Sequence, residues 1–278
     1  MIKFEKLHGT GNDFIIFNSL EEKLPNYSEL AKVACNRNYG IGADGMIVVE
    51  SSDIASIKMV FYNSDGSEAP MCGNGIRCFS KFIFDNQIIK DKSFNVETLG
   101  GIMKSEVIIE DNEVRNVKIN MGIAKFDTNS FPINTDKKKF IDEEIELDDM
   151  KYKVSSLMLG TIHTIIFVDK LQQYSIKKVG KIVENMDIFP KKTNVNFCEV
   201  IDESNLKVIT WERGSGQTLS CGTGASATAV VSSLLNNTNK KVNVHVPGGK
   251  LKIEIIDNLV YMTGPVRLIC KGYFNYNK

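Results

Sequence analysis

Short runs of aliphatic and β-branched residues recur along the chain: Met46 to Val49, Ile57 to Phe61, Val107 to Ile109, Val117 to Ile119, Val208 to Trp211 and Leu251 to Ile256. Runs of this length predict strands, because branched side chains pack well on a pleated surface. Two segments break that rhythm. Ile76 to Phe84 and Ala225 to Leu235 are longer, mix small with apolar residues, and predict a buried helix in each half of the chain. Turn formers separate the strand-like runs at Ser64-Asp65-Gly66, Asp111-Asn112, Asp148-Asp149 and Asp257-Asn258. Asp136 to Asp149 is densely charged, with Lys137 to Lys139 and Asp142 to Glu144, and predicts a solvated hairpin edge.

The pattern repeats. Cys72-Gly73-Asn74-Gly75 and Cys221-Gly222-Thr223-Gly224 are both CGxG, lie a little over half the chain apart, and each opens a predicted helix. Downstream, Asn95-Val96 through Gly100-Gly101 to Lys104 and Glu106 parallels Asn243-Val244 through Gly248-Gly249 to Lys252 and Glu254. Upstream, Phe14-Ile15-Ile16-Phe17 after Asn12 parallels Ile165-Ile166-Phe167-Val168 after His163. Three matched blocks in one order, at nearly constant spacing, imply an internal duplication. Two halves of the same strand-rich fold, each with one central helix, follow.

A length of 278 residues fits two domains of moderate size, and 42% hydrophobic with 24% charged residues is enough to build ordinary cores. Lys plus Arg and Asp plus Glu both number 34, so no net basic field draws in nucleic acid or an anionic membrane. A small-molecule or protein partner is expected instead. Met1 to Leu20 lacks the basic and apolar regions of a signal peptide, and no stretch has bilayer-spanning length, so a cytoplasmic protein is expected. The six cysteines are expected to be reduced thiols. Without a CxxC pair, and with three histidines, a zinc ribbon or finger has no ligand spacing, and no metal is expected.

The two matched cysteines carry the chemistry. Each sits at the start of a predicted helix, where backbone N–H groups and the positive end of the dipole stabilise a thiolate. The glycines let a ligand approach the backbone, and the same N–H groups can hold a carboxylate or phosphate. A free cysteine is often only a small buried hydrophobe, but two at equivalent places in a duplication fit that reading poorly. Facing across a cleft between halves, they would place one sulfur on each side of a ligand. Stereoinversion needs that layout: one thiolate removes an α-proton while the opposite thiol reprotonates the carbanion from behind. Donors at the helix starts would bind the substrate carboxylate.

Several longer motifs resemble the diaminopimelate epimerase family, in order, over essentially the whole chain. They are Lys6 through Phe14 (KLHGTGNDF), Asn63 through Glu68 (NSDGSE), Met71 through Cys78 (MCGNGIRC), Glu212-Arg213-Gly214 with Ser220 through Ala225 (SCGTGA), and Tyr261 through Pro265 (YMTGP). The resemblance implies an isomerase of the α/β (α+β) class. It has two pseudo-symmetric domains, each a curved, mostly antiparallel sheet wrapped around a central helix. The first would cover residues 1–121 plus a returning C-terminal strand, 266–278, and the second residues 122–265. It implies a two-base epimerase without pyridoxal phosphate or any other cofactor, interconverting LL- and meso-diaminopimelate for lysine and peptidoglycan precursor synthesis. Cys72 and Cys221 would be the catalytic pair, with His163 assisting Cys72 and Glu212 assisting Cys221. Asn12, Asn63, Asn194, Glu212 and Arg213 would line the pocket, and Gly73, Asn74, Gly222 and Thr223 would donate to the reacting carboxylate.

Each of these residues also has a plain structural reading. Asn12 and Asn63 suit turns, Glu212 with Arg213 a surface ion pair, and His163 a hydrogen-bonded strand histidine, as do His8 and His245. Cys78 reads as buried packing, and Cys35, Cys198 and Cys270 carry no signal. Two positions depart from the family pattern. Gly160-Thr161-Ile162-His163 stands where Gly-Asn-Pro-His is common, so Thr161 would offer a hydroxyl where a pocket amide is usual, and Gly45 stands where some relatives carry a polar side chain. These positions bear on the distal end of the substrate and leave a related amino acid such as lanthionine, or a single amino acid, as alternatives. A non-catalytic thiol protein, a redox sensor or metal-binding module, is the alternative of another class. The oligomeric state is left open, a homodimer included.

Overall fold

The computed structural model describes residues 1–147 and 150–276. The turn expected at Asp148-Asp149 lies outside the described residues. The chain divides into two compact units, Met1–Ile119 with Thr263–Lys278, and Asn120–Met262.

The first unit opens with an antiparallel hairpin, β1 (Ile2–Gly9) and β2 (Asn12–Asn18), turned by Thr10 and Gly11, both at positive φ. Helix α1 (Tyr27–Ala34), N-capped by Asn26 Oδ1 on the Glu29 amide, connects β2 to its parallel neighbour β3 (Gly45–Glu50). Antiparallel pairings then carry the sheet through β4 (Ile57–Asn63) and the short β5 (Glu68–Ala69). Helix α2 (Gly73–Asp85) follows, and then β6 (Ser93–Thr98), parallel to β4, β7 (Gly101–Glu110) and β8 (Glu113–Ile123), the last two antiparallel.

The second unit repeats this sequence of pairings. After β9 (Phe140–Leu147) come the antiparallel β10 (Met150–Leu159) and β11 (Thr161–Phe167). Helix α3 (Ile176–Glu184) leads to β12 (Asn194–Asp202), parallel to β11. Antiparallel β13 (Asn205–Glu212) and β14 (Gly216–Gln217) precede helix α4 (Gly222–Leu234). Then β15 (Lys241–Val246) lies parallel to β13 and antiparallel to β16 (Gly249–Ile256), and β17 (Leu259–Pro265) follows. The final strand, β18 (Arg267–Phe274), pairs antiparallel with β1, just as β9 pairs with β10.

Each central helix is buried on nearly every side. Helix α2 packs on β1, β2, β4 and β7, and α4 on β10, β11, β12, β13, β15 and β16. A helix enclosed all round must satisfy its own polar groups. In α4 the Ser226 and Thr228 hydroxyls donate to the Gly222 and Gly224 carbonyls, and in α2 Ser80 does the same to Ile76. The sequence reading singled out α2 and α4 but not α1 and α3, which are short, at eight and nine residues. The charged segment before β10 is an outer hairpin: the residues of β9 alternate in burial, and Lys151 and Lys153 pair with Glu144 and Asp142.

Candidate active site

Both CGxG cysteines are N-caps in extended backbone: Cys72 at φ −130° on α2 and Cys221 at φ −115° on α4. The first helical bonds run from Ile76 to Cys72 and from Ala225 to Cys221, so the amides of residues 73–75 and 222–224 precede the hydrogen-bonded ladder. The two sulfurs are held differently. The half-buried Cys72 thiol donates to Asn12 Oδ1 at 3.7 Å, whereas Cys221 Sγ, buried, accepts from the Gly224 amide at 3.4 Å and stands 3.4 Å from Thr223 Oγ1. One sulfur is therefore a hydrogen-bond donor, and the other sits where backbone N–H favours the anion.

In the first unit, Asn12 is oriented from behind. Its amide nitrogen donates to Asp44 Oδ2 at 2.6 Å, which turns Oδ1 toward Cys72 and toward Asn74 Nδ2, which donates to it at 3.2 Å. Asp44 is held by Arg37, whose guanidinium also grips Asp13 through both oxygens at 2.8 and 3.1 Å, and Lys6 stands 3.0 Å from Asp13. Burial would raise the Asp13 carboxyl, but the hydrogen bonds from Arg37 and Lys6 outweigh it and bring its pKa to about 2. The sequence reading missed this network, whose members are separated by up to 38 positions and meet only when β2, β3 and the loop after α1 come together. Beneath α2, the fully buried Arg77 donates to Gly73 O and Thr10 Oγ1, tying the β1–β2 turn to the helix start. Asn63 ends β4 and donates to Ser67 Oγ within its own turn.

Gly45 is not an emptied pocket position. A Cβ there would stand 2.6 Å from Phe61 Cε2 and 2.9 Å from the Tyr62 carbonyl, so close packing accounts for the glycine.

In the second unit, His163 is fully buried on β11. Burial, with the Arg213 charge adding to it, lowers its pKa to about 3, so the ring is neutral. Its Nδ1 lies 3.2 Å from Asn196 Nδ2. Glu212, at the end of β13, accepts the Thr218 hydroxyl at 2.6 Å. Asn194 accepts from the Arg213 amide and donates to Ile162 O, so its side chain fixes where the Glu212-Arg213 turn leaves the strand. The Arg213 guanidinium is exposed and donates to Lys191 O. Half-buried Thr161 follows Gly160, whose positive φ of 71° brings that turn beside Thr223. A residue missed in the sequence is Glu184: its buried carboxylate accepts from Trp211 Nε1 at 2.7 Å and from the Gly214 amide at 3.1 Å, bracketing Glu212 and Arg213.

None of the six cysteines is in a disulfide. Burial pushes the Cys35 thiol up to about 12 and raises those of Cys78 and Cys198 further, which makes them inert, and Cys270 lies exposed on β18. His8 accepts from the Gly11 amide, and His245 lies 3.2 Å from Asn205 Oδ1. Among the described residues, no three His, Cys, Asp or Glu side chains converge to hold a metal ion, and no helix is long and apolar enough to cross a membrane.

The fold is that of the racemases and epimerases built from two matched α+β halves. A probable proline racemase from Agrobacterium radiobacter K84 superposes with a TM-score of 0.75 at 12% identity, covering 100% of this chain and 94% of that one. The sequence profile described as "Diaminopimelate epimerase" matches residues 4–126 and 155–269, one stretch in each half. Relatives of that name from Alkaliphilus metalliredigens and Caldanaerobacter subterraneus subsp. tengcongensis are each 46% identical over 98% of this chain, and over 97% and 98% of their own lengths. The chain belongs to the diaminopimelate epimerase family.

Proposed function

We propose that the protein is a cofactor-independent, two-base epimerase that interconverts LL- and meso-diaminopimelate, an isomerisation that serves lysine and peptidoglycan precursor synthesis. The observation that carries the reading is the pair of cysteines serving as N-caps of the central helix in each repeat, one donating and one accepting a hydrogen bond. In one direction Cys221, as thiolate, removes the α-proton and Cys72, as thiol, delivers one to the opposite face, and in the other direction the roles exchange. Negative charge building on the α-carboxylate would be met by the N–H groups of Gly73, Asn74, Gly222 and Thr223. His163 is assigned to support Cys72, and Glu212 to support Cys221. Asn12, Asn63, Thr161, Asn194 and Arg213 would hold the substrate, Arg213 suiting a carboxylate at the non-reacting end. The reading places the protein in the cytoplasm, where free thiols persist, and leaves a homodimer to be tested by sedimentation.

Incubation with LL-diaminopimelate in D2O, followed by proton NMR, tests this. Deuterium should enter at Cα with inversion, and Cys72→Ala and Cys221→Ala should each lose at least about a thousandfold in turnover while keeping the fold. Near-normal inversion by either variant would reject the two-thiol mechanism. Faster exchange on lanthionine or on a single-headed amino acid would move the reading to that substrate.

A further inference from the structure

His163 does not stand alone under α4. Adjacent strands place a polar row there: His163 on β11, Asn196 on β12 and, directly opposite Asn196, Thr210 on β13. The Asn196 carboxamide has its orientation dictated by its neighbours. Its nitrogen lies 3.3 Å from the Thr164 carbonyl, a group that can only accept, and its oxygen lies 3.0 Å from the Thr210 hydroxyl, which donates to it. With one N–H on Thr164, the second points at His163 Nδ1, 3.2 Å away. Nδ1 must then present its lone pair. In a neutral imidazole the proton is consequently on Nε2. That Nε2 is buried and has no hydrogen-bond partner among the described residues. A buried N–H left without an acceptor is costly, so the fold keeps a donor ready for a group the protein itself does not supply.

We propose that Asn196 is a positioning residue that locks His163 as the Nε2–H tautomer, so that the imidazole meets the anion formed during proton removal as a neutral hydrogen-bond donor and not as a base. The functional half of this inference rests on the epimerase reading. A neutral imidazole donor suits a reaction whose charge appears only transiently, because its hydrogen bond strengthens as the anion forms and no second cation has to be buried. Gly224 is part of the arrangement, since a side chain there would collide with Asn196 Oδ1 and turn the amide away.

With three histidines in the chain, long-range proton–nitrogen correlation NMR of the nitrogen-15-labelled protein resolves each ring, and His163→Gln assigns the signal. The resting protein should show His163 with Nε2 protonated and Nδ1 bare. In Asn196→Asp a carboxylate faces Nδ1, so the ring should become Nδ1-protonated, and Cα–H exchange on diaminopimelate should fall about a hundredfold or more in kcat with little change in KM, as expected when a ring is held in the wrong tautomer. An Nδ1–H tautomer or an imidazolium in the unmodified protein overturns the proposal without recourse to any variant. So does an Asn196→Asp protein whose tautomer changes but whose kcat does not. Failure of the unmodified protein to exchange any amino-acid α-proton would instead count against the epimerase reading, and it is visible separately from the ring spectrum.

Discussion

A methyl group added at Gly224 would collide with Asn196 Oδ1 and approach Thr210 Oγ1 to 3.1 Å, while the Gly224 amide is the donor to Cys221. Gly224→Ala should therefore cost about 1 to 3 kcal/mol through overpacking, read by urea denaturation, and should lower turnover through both the thiol and the histidine. Acid acts on two other residues in windows that open at different pH. The native Asp13 pKa of about 2 lies below the unfolded value near 3.9, so its network stabilises fully above pH 4 and loses that contribution as pH falls from about 4 to 2. Asp13→Asn should be about 2 kcal/mol less stable than the unmodified protein at pH 7, with the gap narrowing below pH 4 in denaturation curves. His163, with a native pKa of about 3 against an unfolded value near 6.5, withdraws stability earlier, as pH falls below about 6.5. Little of this residue-scale detail was legible in the sequence. Gly45 read as a missing pocket side chain because sequence shows what is absent but not the Phe61 ring that fills the space. The pairing of Asp13 with Arg37, and of Arg37 with Asp44, left no signal because contacts made by the folded chain leave no periodic trace.

Among the elements, α3 and the end of β13 depend on each other. Gly180 lets α3 pack directly on Trp211, where a Cβ would stand 2.6 Å from the indole, and Glu184 at the end of the same helix takes the indole N–H and the Gly214 amide. Removing that carboxylate leaves two donors without their acceptor. Glu184→Ala should cost about 3 kcal/mol and lower turnover by loosening the Glu212-Arg213 turn, whereas Glu184→Gln keeps an acceptor and should lose less. Trp211 is the only tryptophan, so its fluorescence reports the loosening directly. At this scale the sequence was more informative. The strands from Met46, Ile57, Val208 and Leu251 and both central helices stand where the local pattern put them. Each is specified by neighbours within a few residues: a run of branched apolar side chains for the strands, and CGxG with small residues for the helices. Helix α3 escaped notice because its apolar face is short and its purpose, seating Trp211, lies 27 residues further on in Glu184's partner.

For the whole molecule, the first unit is discontinuous. The chain leaves it within β8 and re-enters within β17, and β18 is the antiparallel neighbour of β1, with Phe274 and Tyr276 packing on the core around Ile15, Phe17 and Leu30. A chain ending at Val266 should show β1 amides exchanging about a hundredfold faster or more, measured by hydrogen exchange, while amides of β11 to β13 stay protected. The duplication was visible in the sequence because its blocks kept their order, but strand pairing between the two ends of the chain is a matter of topology, and no local pattern encodes it. This pairing also sets a timetable for synthesis. The ribosome releases β1 first and β18 last, and at roughly 5 to 20 residues per second that interval lasts on the order of tens of seconds. Throughout it one long edge of β1 has no strand beside it, the kind of edge that recruits strands from other chains. The second unit, by contrast, is one continuous stretch that does not wait for β18, so of the two units the one begun first is completed last.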